Sequence, residues 1–131
     1  MGAVAVRDQR VNRFAQSFRE LDVWKLSMEI ARQTYEIAKT LPRDEEYGLK
    51  PQMKRAAISL SANIAEGFRR KHPKEFKQAL HIALASSAEL ETYCLLCQEL
   101  FNGSTNGISK LLQQLDRFQR MTNSLIGKLK T

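Results

Sequence analysis

One segment of the sequence repeats apolar residues at a spacing that few folds can accommodate. Between residues 76 and 101, small or apolar side chains recur alternately every four and every three positions. The members of this repeat are Phe76, Leu80, Ala83, Ser87, Leu90, Cys94, Cys97 and Phe101. Such a repeat keeps one face of a long helix against nearly parallel neighbours. It therefore predicts a helix that begins near Pro73 and packs lengthwise against other helices.

Three further segments have helical periodicity, and the few glycines and prolines lie between them. We expect the first helix to run from about Asp22, as N-cap, to about Thr40. One of its apolar stripes comprises Leu21, Trp24, Met28, Ala31, Tyr35 and Ala38. The other comprises Val23, Leu26, Ile30, Ile37 and Leu41. Because one face packs inside a bundle, the other stripe requires cover of its own.

We expect Pro51 to lie in the first turn of the second helix. We expect the helix to end at Gly67, which would be its left-handed C′ residue. Its core stripe consists of Met53, Ala57, Leu60 and Ile64. Many of its other residues are alanine or serine, so neighbours can approach it closely. A polar side includes Arg55, Ser59, Asn63 and Glu66, together with Gln52. We expect this side to pack on another helix or subunit, with Glu66 paired to Arg55 or to an arginine that follows the helix. The alternative is an ordinary exposed polar face.

The fourth helix is expected to start after Thr105 or Asn106 as N-cap. Its apolar residues are Ile108, Leu111, Leu115, Phe118, Thr122, Leu125 and Leu129. Because the connections are short, consecutive helices should run in opposite directions. The sequence therefore predicts an all-α fold, an antiparallel up-down-up-down four-helix bundle over residues 18–131. Residues 1–17 are interpreted as a mobile basic N-terminal arm.

The net charge of +7 is confined to two places. The first 19 residues have four arginines and one aspartate, and residues 68–78 have five cations and one glutamate. The other residues contain equal numbers of basic and acidic side chains. The five cations of the second cluster are Arg69, Arg70, Lys71, Lys74 and Lys77. Focused positive charge favours a polyanionic partner, although a solvated basic turn that aids solubility is the simpler alternative. Few aromatic residues accompany these cations, so we expect them to contact phosphates and not to read bases.

No motif for catalysis, metal binding or cofactor binding is evident. Cys94 and Cys97 form a C-x-x-C pair, but they lie late in a helix on its apolar face, which favours buried structural thiols. The serines lack a plausible base and acid, His72 and His81 do not have ligand spacing, and no phosphate-binding glycine loop is present. The chain has no apolar run long enough to span a membrane and no secretory signal, so we expect a cytoplasmic protein.

Three runs resemble a family of bacterial proteins named for the 23S rRNA intervening sequence. They are FRELDVWKLSMEIARQTYEIAKTLP, EEYGLKPQMKRAAISLSANIAEGFRR and KEFKQALHIALASSAELETYCLLCQEL. The resemblance covers about residues 18–131, and the run from Asn63 to Gly67 is its most specific part. Ala85-Ser86-Ser87 is a mild departure, because the family tends to have a glycine there.

The resemblance implies an antiparallel four-helix bundle that assembles as a homopentamer, with no catalytic residue to carry over. The accessory variability determinant of diversity-generating retroelements is distantly similar, and it binds nucleic acid and a reverse transcriptase. The leading hypothesis is a non-enzymatic oligomeric module that binds RNA or DNA through the second cationic cluster. The alternative is a protein-interaction scaffold for an acidic protein or a reverse transcriptase, without direct nucleic-acid binding.

Overall fold

The computed structural model describes residues 7–8, 13–101 and 107–129. Its four long helices are α1 (Asp22–Ala38), α2 (Leu49–Arg69), α3 (Pro73–Phe101) and α4 (Ile108–Lys128). Two short 3₁₀ turns, Phe18–Glu20 and Arg43–Glu45, precede α1 and α2 respectively. Near the N-terminus, β1 (Arg7–Asp8) pairs antiparallel with β2 (Arg13–Phe14). The predicted all-α four-helix fold is confirmed.

Contacts between α2 and α3 show that these two helices run in opposite directions. Cys97 Sγ lies 3.9 Å from Met53 Sδ. Ser59 Oγ, further along α2, lies 2.7 Å from Ser86 Oγ, which is earlier in α3. As the residue number rises along α2, the number of its partner in α3 therefore falls. Helix α1 packs on α2 and α4, and α3 packs on α2 and α4, so consecutive helices are neighbours around the bundle.

The predicted core residues of α2, α3 and α4 are largely confirmed. All four members of the α2 stripe are fully buried. The repeat in α3 is buried from Phe76 through Cys97, and Phe101 is half-buried at the end of the helix. In α4, Leu125 is half-buried and the other predicted members are buried. The seven-residue repeat thus identified the faces that meet inside the bundle.

Of the two stripes predicted in α1, the second faces the core. All five of its members, Val23 through Leu41, are buried. The first stripe is divided. Leu21 and Ala38 are buried, whereas Met28 is 47% exposed and Tyr35 is 39% exposed. Tyr35 receives the ammonium of Lys54 from α2, 5.0 Å from its ring centroid. A lysine stem covers part of the tyrosine ring, which lowers the need for an apolar partner there.

The predicted end of α2 at Gly67 is wrong. The helix continues to Arg69, and the left-handed residue is Lys71, at φ 62°. Gly67 is buried inside the helix, where α3 approaches it closely. A Cβ atom at position 67 would lie only 2.4 Å from the Cβ atom of Ala79. The glycine is required by helix packing and not by backbone conformation, so its presence did not mark a helix end.

Neither of the two predicted N-caps is confirmed. Asp22 is the first residue of α1 and not its N-cap, a position that Leu21 occupies without a side-chain hydrogen bond. The helix therefore has an acidic residue in its first turn, where it complements the helix dipole. The N-cap of α4 is Gly107, at φ 90°, and the predicted Thr105 and Asn106 lie outside the described residues.

The boundary between the predicted arm and the bundle lies in a segment that contacts the core. Ala15 is 7% exposed and belongs to the hydrophobic core. Ser17 caps the following 3₁₀ turn, because its Oγ accepts a hydrogen bond from the Arg19 backbone N–H. Whether residues 1–17 form a mobile arm stays a prediction.

Candidate nucleic-acid interface

The short connection between α2 and α3 gathers the second cationic cluster at one end of the bundle. Helix α2 closes with hydrogen bonds from the Arg70 N–H to the Gly67 carbonyl and from the Lys71 N–H to the Phe68 carbonyl. Lys71 then takes the left-handed conformation, and α3 begins at Pro73, where the missing N–H needs no partner. This tight turn brings the last residues of α2 beside the first turns of α3.

Most of the cluster is exposed to solvent. Arg69, Arg70, Lys71 and Lys74 are exposed, and Lys77 is half-buried along the first turns of α3. We refer to these five side chains as the junction cluster. The structure therefore brings all five predicted nucleic-acid-binding residues to the same end of the molecule. Their interaction with a nucleic acid stays a prediction.

Two carboxylates partly neutralise the junction cluster. Arg70 lies 3.5 Å from a carboxylate oxygen of Glu66 and 3.4 Å from one of Glu75. Both ion pairs are exposed, so they contribute little to stability. The partner of Glu66 is thus a junction arginine, one of the two alternatives that the sequence left open. Arg55 instead donates a hydrogen bond to Gln52, one turn earlier in α2.

Beside the junction cluster lies an aromatic residue that the sequence reasoning missed. Phe18, from the turn before α1, has its ring centroid 5.4 Å from the Arg69 guanidinium carbon. Trp24 holds this ring in an edge-to-face contact with centroids 5.3 Å apart. Phe18 and Arg69 line an open cavity of about 450 Å³, together with Ala65, Glu66 and Arg70. No local pattern relates Phe18 to the junction cluster, because the two are distant in sequence.

Phe68 has a different role from Phe18, although it adjoins the basic residues in sequence. Its ring makes an edge-to-face contact with Phe76, with centroids 5.7 Å apart. Phe76 is fully buried and Phe68 is half-buried against the core. This contact fastens the ends of α2 and α3 to each other. Phe68 is therefore part of the packing that supports the junction cluster.

The polar side of α2 is split between helix packing and solvent. Asn63 Nδ2 donates to the backbone oxygen and the Oγ of Ser59, at 2.8 and 2.9 Å. Ser59 in turn bonds to Ser86 of α3. Arg55 and Glu66 are both exposed. Ser59 and Asn63 thus contribute to packing between α2 and α3, and a contact of this side with another subunit stays a prediction.

The two thiols lie in the core, as the sequence predicted. Cys94 and Cys97 are both fully buried, and both are free thiols that form no disulfide. Burial raises the pKa of the Cys94 thiol to about 12, and the nearby Cys97 and Glu91 act in the same direction. Burial also raises the pKa of Cys97. A thiol that keeps its proton is a poor nucleophile and a poor metal ligand.

Two other kinds of feature are absent from the described ranges. Within residues 7–8, 13–101 and 107–129, no cluster of three or more metal-ligating side chains occurs. In the same part of the chain, no helix combines the length and the apolar composition that crossing a bilayer requires.

Comparisons with known proteins identify relatives of this bundle. A crystal structure of a protein of unknown function from the S23 ribosomal protein family of Bacteroides thetaiotaomicron superposes with a TM-score of 0.72 at 23% identity. The match covers 79% of this chain and 97% of that one, and at this identity it supports the fold alone. Among curated proteins, none matches the sequence. The model of the 23S rRNA-intervening sequence protein family matches residues 19–124, which is most of the chain. The chain therefore belongs to the 23S rRNA-intervening sequence protein family.

Proposed function

We propose that this protein is a non-enzymatic, oligomeric module that binds RNA through the junction cluster. The observation that carries the proposal is the exposure of Arg69, Arg70, Lys71 and Lys74 around one short turn at the end of the bundle. The family name refers to intervening sequences of 23S rRNA, which makes RNA the first ligand to test.

The physical basis of this binding is the release of counterions from the nucleic acid. Each phosphate that a lysine or arginine neutralises frees condensed cations, and the gain in entropy supplies affinity. A turn with fixed backbone geometry presents these side chains without the ordering penalty of a flexible segment. Because contacts to phosphates carry no sequence information, the junction cluster should bind many sequences with similar affinity.

Apolar side chains on the outer surface support the oligomeric part of the proposal. On α2, Ile58 is 46% exposed, and on α3, Ile82, Leu96 and Leu100 are 49%, 40% and 59% exposed. A second copy of the chain that covered these residues would remove apolar area from water, at about 25 cal/mol per Å². The number five for the assembly comes from the family resemblance. Oligomerisation would repeat the junction cluster once per subunit and so raise its affinity for a long phosphate chain.

The experiment is an RNA-binding titration at about 50 and 200 mM salt, the range in which counterion release is most visible. The test variant replaces all five members of the junction cluster with glutamine. If four phosphate contacts form on single-stranded RNA, wild-type affinity should fall roughly 50-fold over this fourfold change in salt. The variant should bind far more weakly and with a flatter salt dependence, while circular dichroism shows an intact helical fold.

A matched control distinguishes a local site from an effect of net charge. Five exposed cations elsewhere on the bundle can be changed to glutamine together. They are Arg32, Lys39, Lys110, Arg117 and Arg120. This control removes the same charge but should retain most of the binding. Equal losses in the two variants, or no RNA binding by the wild type at 50 mM salt, would refute the assignment of the site.

The second candidate function is a protein-interaction scaffold. Its supporting observation lies towards the opposite end of the bundle, where Tyr47 is 95% exposed and Leu100 is 59% exposed. A reverse transcriptase would bind this apolar surface, whereas an acidic protein would bind the junction cluster at the other end. If RNA binding fails, a direct titration with a reverse transcriptase is the next measurement, and Tyr47→Ser should weaken that complex.

A further inference from the structure

The cavity beside the junction cluster is an open depression of about 450 Å³ on the surface of the bundle. The ring of Phe18 and the methyl group of Ala65 provide apolar surface, and Glu66, Arg69 and Arg70 complete the lining. Phe18 is half-buried, so part of its surface is accessible. The cavity thus combines an aromatic surface with charged groups directly beside the phosphate-binding side chains proposed above.

The contact between Phe18 and Arg69 creates a stacking surface. The Arg69 guanidinium lies over the Phe18 ring, and Trp24 makes an edge-to-face contact with the same ring. Unpaired nucleobases stack on aromatic rings and on guanidinium planes, and both kinds of surface are present here. A base in a duplex is already stacked on its neighbours and cannot enter such a cavity.

Glu66 gives the cavity a polarity that differs from that of the junction cluster. Its carboxylate is the acidic group of a lining that also contains Arg69 and Arg70, so the cavity offers a hydrogen-bond acceptor beside the two cations. It can accept hydrogen bonds from the edge of a base, and guanine presents two adjacent donors, N1–H and N2–H. Arg70 lies 3.5 Å from a carboxylate oxygen of Glu66. This ion pair keeps the Glu66 carboxylate at the cavity. The Glu66 carboxylate therefore favours a group that donates hydrogen bonds at this point of the cavity.

We propose that this cavity binds one unpaired nucleobase, preferably guanine, of an RNA strand whose phosphates lie on the junction cluster. The inference rests on the proposed RNA-binding function and adds to it a preference for single strands. In this arrangement the base stacks on the Phe18–Arg69 pair and donates to Glu66. The neighbouring phosphates contact Lys71 and Lys74.

The experiment measures binding of fluorescent RNA oligomers at 50 mM salt. The probes are an oligouridine, the same strand with one central guanine or adenine, and a duplex of equal length. Wild type should bind the guanine strand at least about tenfold more tightly than the duplex. Phe18→Leu should lose roughly five- to hundredfold of the single-strand affinity, the range measured for one stacked base, and should keep its salt dependence. Glu66→Gln should lose the preference for guanine over adenine.

Two further variants keep the result interpretable. Phe101→Leu changes a half-buried phenylalanine at the opposite end of the bundle that does not line the cavity, and it should bind like the wild type. Ala65→Leu places a larger side chain in the cavity from α2 and keeps Phe18 and Trp24 in the sequence, and it should reproduce the loss if Phe18→Leu folds poorly.

The outcomes separate the two levels of the proposal. If duplex and single strand bind equally and both Phe18→Leu and Ala65→Leu match the wild type, the base-binding cavity is refuted. In that case a loss of binding in the junction-cluster variant would leave the proposed function standing. If no RNA binds to the wild type at all, both proposals are wrong.

Discussion

Replacing Gly67 with alanine tests whether close helix packing explains this residue. The position lies within α2 and is buried against α3. An added Cβ would be 2.4 Å from the Cβ of Ala79 and 3.3 Å from Cδ1 of Phe76. The methyl group of Ala79 cannot rotate away, so the two helix backbones must separate to accommodate the new atom.

Two opposing effects determine the size of the change. Alanine is favoured over glycine inside a helix by about 1 kcal/mol, which would stabilise the variant. Overpacking of a core typically costs about 1–3 kcal/mol, and a clash between two backbone-attached atoms belongs at the upper end. We therefore expect Gly67→Ala to lower the free energy of unfolding by about 2 kcal/mol, the difference between the two effects.

The measurement is urea denaturation followed by circular dichroism, with two controls. Gly127→Ala makes the same substitution near the end of α4, where no atom lies within 4 Å of the new Cβ, and it should stabilise the protein by up to about 1 kcal/mol. Ala79→Gly should destabilise the wild type but stabilise the Gly67→Ala variant, because it removes the opposing methyl group. The packing argument fails if Gly67→Ala is as stable as the wild type, or if Ala79→Gly has the same effect in both backgrounds.

Two predictions concern the assembly and the thiols. Light scattering at micromolar concentration should give a mass several times 15.0 kDa, and the family resemblance implies five times. Ile82→Glu should lower this mass. A wild-type mass of 15.0 kDa would contradict self-assembly. Replacing Cys94 and Cys97 with alanine should lower stability by on the order of 1 kcal/mol or more per site and leave RNA binding intact. The wild-type free energy of unfolding should also fall as the pH rises from about 9 towards 12. In this range the thiols lose their protons in the unfolded chain, whereas the folded Cys94, with a pKa of about 12, still keeps its proton. The alanine variant should lack this part of the pH dependence, whereas rapid labelling of both native thiols or stoichiometric bound metal would refute the interpretation.

The sequence predicted the architecture well because its repeat is long and regular. In α3 the predicted residues from Phe76 through Cys97 are buried, and in α4 the same holds for most of the stripe. A repeat over so many turns leaves few ways to pack the helices, so the fold class followed from periodicity. The junction cluster was also predictable, because its members are nearly contiguous and one turn between helices brings them together.

Features that depend on distant neighbours were not predictable in the same way. The two apolar stripes of α1 are similar in length, and only the positions of α2 and α4 determine that the stripe containing Ile30 is buried. Gly67 followed by basic residues has the pattern of a helix end, but the approach of Ala79 explains the glycine instead. Phe18 joins the site because α1 and α2 run side by side, a relation that no short motif records.

The close packing of α2 on α3 also determines the geometry of the proposed site. The Gly67–Ala79 contact lies at the end of the helix pair from which the junction cluster projects. Arg69 and Arg70 belong to the α2 side of that contact, and Lys74 belongs to the α3 side. The distance between these two groups of cations therefore depends on how closely the helices approach. A larger residue at position 67 would move one group away from the other, so Gly67 would also set the phosphate spacing of the proposed site.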